Sequence, residues 1–200
     1  LTTQKTYNIT QNTKLTCEAQ TSTKVSVKEN PTIAVKVDQD YCKDEKIILN
    51  IVKDNTTATK FIWANGRPET SNEKYEVTNV QIGVNQFDIV GVKEYVESNT
   101  SKKCYDTTTI STKVYALPKI KIDGPAFICK ETETKLSAKD VSGNGTLANT
   151  YTWSPNPTDV ETTVENGVTV STIEVPAPTT EYTTYTAQGS FVTAGGKTCS

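Results

Sequence analysis

The chain has 200 residues, 21 Lys plus Arg against 23 Asp plus Glu, and a net charge of −2. That balance gives no electrostatic reason to expect nucleic acid or an anionic membrane as a partner. His and Met are absent, which removes the usual general base, zinc ligand and neutral-pH switch together.

Thr (36) and Val (19) far outnumber Leu (6). β-branched residues suit a pleated, half-buried surface, so the expected class is all-β. The apolar fraction of 34% makes a thin core, easier to build as two small sandwiches than as one large one. Without an apolar run near 18 residues, no direct membrane insertion is expected. The chain begins at Leu1, so it is read as a piece of something longer.

Residues 1–30 suggest the last strands of a preceding repeat: a strand around Tyr7, a turn, Cys17, then Val25 and Val27. From Pro31 a complete unit begins. Ile33, Val35 and Val37 alternate as a first strand, and Asp38-Gln39-Asp40 supplies a turn. Ile47, Leu49 and Ile51 line a second strand, Phe61 and Trp63 a third, and Tyr75 and Val77 a fourth. Phe87, Ile89 and Gly91 open the next strand. The turn Ser98-Asn99-Thr100-Ser101 follows, and Ile110, Thr112 and Val114 form the last strand before Pro118.

The pattern then recurs. Pro31, Ile33, Cys42 and Leu49 reappear 87 residues later as Pro118, Ile120, Cys129 and Leu136, and Trp63 reappears 90 residues later as Trp153. Cys17 and Cys104 are also 87 apart. Asn144-Gly145 and Asn166-Gly167 supply tight turns in the second copy. A period near 90 suits one immunoglobulin-sized sandwich per unit. The reading is three pieces: 1–30, a truncated repeat; 31–117, a complete one; and 118–200, a second one lacking its last strand. Trp63, Trp153, Leu49 and Leu136 are the expected core.

Pro-x-Ile-x-Ile-x-Gly-Pro-x-x-x-Cys at 118–129, Tyr-Thr-Trp-Ser-Pro at 151–155, the Thr/Tyr run of 179–186 and Gly-x-x-Cys at 196–199 carry a resemblance. They resemble the Ig-like or PKD-like repeats of giant cell-surface proteins of Bacteroidota, including gliding-motility adhesins. The middle unit departs from that pattern, with Trp63-Ala64-Asn65 for Trp-Ser-Pro and Val37 where the other copy has Gly124. The resemblance implies tandem Greek-key sandwiches. It also implies export by a type IX route, an extracellular location anchored at the outer membrane through other parts of the chain, and a role as stalk. Neighbouring repeats would be the partners, with surface polysaccharide a further one.

The cysteines recur two per repeat, which together with that resemblance favours disulfides. One bridge per repeat would pair Cys42 with Cys104 and Cys129 with Cys199, leaving Cys17 to an upstream repeat. The alternative pairs Cys42 with Cys199, between repeats. Cys42 and Cys104 fall at opposite ends of a Greek-key unit. A strand of eight residues spans roughly 26 Å, and a disulfide tolerates Cα separations only to about 7 Å. The inter-repeat pair is therefore preferred, with the others left open.

Weaker signals have blander readings. Asp38, Asp40 and Asp44 are read as a solvated acidic loop rather than a calcium site, and no metal or cofactor is expected. Asn8, Asn55, Asn99 and Asn144 begin Asn-x-Ser/Thr triplets, which arise often in a Thr-rich chain. Thr107, in Asp106-Thr107-Thr108, resembles a Bacteroidota O-glycosylation site. Without His no ordinary triad can be assembled, so the expectation is a non-catalytic stalk or adhesin segment. The competing reading is an accessory carbohydrate-binding module of a secreted enzyme.

Overall fold

The computed structural model describes residues 4–12, 18–63, 67–78, 80–143, 145–177 and 183–200, with no side-chain account of residues before 21. The chain is all-β. In order, the strands are β1 (Gln4–Asn12), β2 (Glu18–Ser26), β3 (Val35–Lys36), β4 (Asp40–Cys42), β5 (Ile47–Ile51) and β6 (Lys60–Trp63). They continue with β7 (Lys74–Val77), β8 (Gly83–Glu97), β9 (Thr100–Tyr115), β10 (Ile120–Asp123) and β11 (Thr134–Asp140). The last are β12 (Thr150–Ser154), β13 (Val160–Glu165), β14 (Val168–Val175), β15 (Thr186–Val192) and β16 (Thr198–Cys199). Two compact units result: Leu1–Val37 with Ile48–Glu76 and Gln86–Ile110, and Asp38–Ile47 with Val77–Asn85 and Ser111–Ser200.

In the first unit β1 and β2 form an antiparallel pair with Tyr7 opposite Thr23. β3 pairs with β5, and β6 pairs with β8 so that Phe61 faces Gly91 and Trp63 faces Ile89. Alternation along β6 buries Phe61 and Trp63, because successive side chains on a strand point to opposite faces. The Trp63 indole stacks on Tyr75 at 5.7 Å, and its Nε1–H donates to the Asn72 carbonyl at 3.0 Å, so a large ring is buried without stranding its polar atom.

The second unit is two sheets around one core. One sheet has the order β10-β11-β14-β13 and the other β12-β15-β16. Ala138, Trp153, Ile173 and Val175 are buried together, with Ile120, Leu136, Tyr151, Tyr185 and Ala187 packed against them. The Trp153 Nε1–H donates to Ser171 Oγ at 3.1 Å. Asp140 anchors the start of this unit, its carboxylate accepting from the amides of Lys119, Ser142 and Ala148 at 3.1, 2.8 and 2.9 Å. Burial pushes the Asp140 carboxyl up, but those backbone amides outweigh it and hold it below the ordinary value.

The two units repeat one detail closely. A β-carbon added to Gly91 would lie 2.9 Å from Ala58 Cβ and 3.1 Å from Ile33 Cβ. One added to Gly189 would lie 2.4 Å from Ile120 Cδ1 and 2.9 Å from Ala148 Cβ. Gly189 faces Tyr151 as Gly91 faces Phe61, and Trp153 faces Ala187 as Trp63 faces Ile89. The packing residues Ile33 and Ile120, and Ala58 and Ala148, stand 87 and 90 apart, the sequence period itself.

Several expectations need correction. The strand read over Ile33–Val37 is reduced to Val35–Lys36, because the amides of Thr32 and Ala34 bond to the Thr57 and Thr56 hydroxyls at 2.8 and 3.0 Å. The strand read around Ile110–Val114 starts at Thr100, since the two residues Ser98 and Asn99 (φ 47° and 63°) complete the turn. Asp40 opens β4 instead of closing a turn. Asn166-Gly167 does make the turn between β13 and β14, both at positive φ. Asn144 and residues 179–182 of the Thr/Tyr run lie outside the described residues.

Candidate functional site: a disulfide clamp in the second unit

The three residues of β4 are all buried. β4 runs parallel to the end of β9, with Asp40, Tyr41 and Cys42 opposite Lys113, Val114 and Tyr115. The ladder continues on both sides, through the Lys113 amide to the Gln39 carbonyl at 3.0 Å and the Lys43 amide to the Tyr115 carbonyl at 2.7 Å. The Thr112 hydroxyl lies 2.8 and 2.9 Å from the Asp38 and Gln39 carbonyls. A tight turn follows. Asp44 has φ 71°, and the Glu45 amide donates to the Cys42 carbonyl at 3.2 Å.

The other half of the clamp is the hairpin joining β15 to β16. The Thr193 amide donates to the Lys197 carbonyl at 2.7 Å, and the Lys197 amide to the Thr193 hydroxyl at 3.1 Å. Gly196 turns the chain at φ 82°. Cys199 then falls opposite Phe191.

Cys42 and Cys199 are joined by a disulfide with Cα atoms 5.5 Å apart. Both are buried, with Tyr115 and Phe191 in the same cluster and Leu117 against it; the Tyr115 and Phe191 rings are 5.9 Å apart. Polar contacts hold the same two segments. Buried Asp40 accepts from the Gly195 amide at 2.7 Å. A β-carbon at 195 would lie 2.7 Å from Asp40 Oδ2, so a side chain there would have to displace the carboxylate. Glu45 Oε2 accepts from the Cys42 amide at 2.7 Å and pairs with Lys197 Nζ at 2.7 Å. Lys197 also lies over the Tyr41 ring at 5.2 Å. Desolvation pushes the Glu45 carboxyl up, and Lys197 with the Cys42 amide more than reverses it.

This bridge excludes both pairs left open from the sequence. Cys42 lies opposite Tyr115, and Cys104 is eleven residues back along β9. At about 3.3 Å per residue that is some 36 Å of strand, far past the reach of a disulfide. Cys129 cannot pair with a cysteine already bonded; it is an exposed free thiol, and Cys104 is a half-buried one. Cys17 lies outside the described residues.

The remaining candidates fall as follows. Trp63, Trp153 and Leu49 are buried, and Leu136 is half-buried against the second core. Neither indole presents a free face to a sugar. Asp40 is not part of a solvated acidic loop: its carboxylate is buried and committed to Gly195. Among the described residues no group of three or more His, Cys, Asp or Glu could hold a metal ion. No helix among them is long and apolar enough to cross a membrane. Thr107 is exposed on β9; Asn55 and Asn99 are exposed, Asn8 has no described side chain and Asn144 lies outside the described residues.

Sequence reasoning missed Asp40, Glu45, Gly195 and Lys197 as the polar half of the clamp. The one legible signal was Gly195-Gly196 shortly before a cysteine, a hairpin tip by composition. The chain matches no family model and no curated protein.

Proposed function

We propose that the chain is a non-catalytic segment of the stalk of a large exported cell-surface protein. It acts as a mechanical spacer that holds distal binding domains away from the cell, as in Bacteroidota gliding-type adhesins built from tandem Ig-like or PKD-like repeats. Type IX export and attachment at the outer membrane through other parts of the parent chain belong to the same proposal. Neighbouring repeats are its partners, and surface polysaccharide is a target of the distal domains.

The observation that carries this reading is the Cys42–Cys199 bridge. Its cysteines come from successive sequence repeats, 157 residues apart. Under a pull on the chain ends, force passes through the sulfur–sulfur bond and bypasses everything between the two cysteines. The duplicated glycine-centred packing supports a building block reused for architecture. Both buried indoles remove the rings that an accessory sugar-binding module would use first.

Single-molecule pulling from the two ends tests it. At about 3.5 Å per extended residue, the oxidised chain has only some 150 Å of free contour, from the residues outside the bridge. Reduction releases about 550 Å more. A spacer should show that difference. An oxidised chain that lengthens by several hundred Å at the same load as the reduced one would defeat the proposal.

A further inference from the structure

The sheet β10-β11-β14-β13 of the second unit has two edges, β10 and β13. Neither lies where a strand following Cys199 would pair. In the first unit the corresponding strand, β9, sits between β4 and β8, and the sheet that matches this one, β3-β5-β7, receives nothing from it.

β13 is an addition to the building block. Trp153 to Gly189 spans 36 residues where Trp63 to Gly91 spans 28, and the sheet of the first unit stops at β7, the match of β14. The added strand buries none of its six residues. It pairs with β14 in one unbroken register, from Val160 with Ile173 to Glu165 with Val168. Edges are commonly blunted by Lys, Pro, a bulge or shortness; β13 uses none of these.

Alternation sets the faces of both edge strands. Val160 and Thr162 lie opposite Ile173 and Ser171, both buried. Val160, Thr162 and Val164 are therefore on the inner face of the sheet, yet Val160 is 46% and Val164 70% exposed. Glu161 and Glu165 are on the outer face. On β10, Ile120 and Ile122 lie opposite buried Asp140 and Ala138, and Ile122 is still 36% exposed. Lys119 and Lys121 take the outer face, where Lys121 stands opposite Lys139 and Asp123 pairs with both at 2.6 and 3.0 Å.

One edge is thus apolar inside and acidic outside, and the other apolar inside and basic outside. Two β13 edges would crowd four glutamates, and two β10 edges four lysines; a β13 edge beside a β10 edge pairs them. Direction agrees. Successive strands of the sheet are antiparallel, so β13 runs opposite to β10, and a copy placed alongside adds its β10 as one more antiparallel strand.

We propose that β13 receives β10 of a second copy of this chain, joining the two sheets edge to edge. The register that serves both faces sets Lys121 opposite Glu161, Ile122 opposite Val160 and Ile120 opposite Thr162. Lys119 then falls between Glu161 and Glu165. The contact is heterologous, so every added copy offers a further edge and the row extends unless its rotation closes a ring. The proposal rests on the two edges alone, not on adhesion or load-bearing, so it can fail while the stalk reading stands, and the reverse.

The test uses the 200-residue chain carrying Cys17→Ser, Cys104→Ser and Cys129→Ser, with the Cys42–Cys199 bridge intact. Sedimentation velocity over a concentration series should show dimers and longer forms that recede as salt screens the charges. Glu161→Lys or Lys121→Glu alone should weaken association about tenfold, and the two together should restore it, with circular dichroism unchanged throughout. In a second arm, a chain carrying Glu161→Cys is mixed with one carrying Lys121→Cys under oxidised glutathione. The expected disulfide product is the mixed dimer. A parent that stays monomeric at every concentration would overturn the proposal. So would a double reversal no better than either single one, or a product dominated by links between two chains of the same kind, which would mean that like edges pair.

Discussion

Gly189→Ala probes the close packing that both units share. Gly189 is not at positive φ, so alanine is conformationally permitted, and the smaller entropy of the unfolded alanine chain favours the variant by about 0.5–1 kcal/mol. Packing opposes it. The new carbon would sit 2.4 Å from Ile120 Cδ1, 3.0 Å from Ile120 Cγ1 and 2.9 Å from Ala148 Cβ. The Cδ1 clash can be relieved by turning the end of a flexible side chain. The Ala148 contact cannot, because that carbon is fixed to a buried backbone. Overpacking of this kind costs about 1–3 kcal/mol, so a net loss of about 1–2 kcal/mol is expected. Urea unfolding, followed by Trp153 fluorescence in a Trp63→Phe background, measures it in the unit concerned. Adding Ala148→Gly, which removes the rigid contact, should recover part of the loss. As a control, Gly167→Ala meets no atom within 4 Å and is strained only by its φ of 80°; its loss should not respond to Ala148→Gly. A Gly189→Ala chain as stable as the parent would refute the idea that an absent side chain admits Ile120 and Ala148.

The remaining predictions concern the bridge and one carboxylate. Replacing Cys42 and Cys199 together by Ser frees a loop of 157 residues; loop entropy puts the loss near 5 kcal/mol. The unfolding midpoint of the parent, but not of the variant, should then fall on adding reductant, and equal sensitivity of the two would contradict the assignment. Asp140 has its pKa lowered in the folded chain. Its contribution is therefore present above the unfolded value near 3.8 and is lost as pH falls through the lower folded value. Asp140→Asn should cost about 2 kcal/mol at neutral pH, because a neutral amide cannot satisfy three amide donors as a carboxylate does, and should flatten the acid limb of the stability profile. Thermal melts between pH 2 and 7 measure both effects, and an unchanged acid limb would count against the assigned hydrogen bonds.

The strands carrying large apolar side chains were legible because alternation is local. Phe61 with Trp63, Ile47 with Leu49 and Ile51, and Tyr151 with Trp153 all lie on strands close to where the pattern put them. β4 and β13 were not legible. β4 is three residues long and starts with an aspartate, so its local chemistry is that of a turn; β13 is exposed throughout and shows no buried face to betray it. At the clamp, the favoured cysteine pair could be reasoned from repeat spacing and strand length. The polar half could not, since Asp40 and Gly195 are 155 residues apart and neither has a local pattern that names the other.

Periodic information thus sits in the linear chain: the β-rich class, the 87-to-90-residue period and the matched positions of the tryptophans and cysteines. Which of the matched cysteines bond, which stay free, and which aspartate is buried depend on long-range register. Register arises when whole strands pair, as β4 does with the end of β9. It is a collective choice among many backbone hydrogen bonds, and no single residue encodes it.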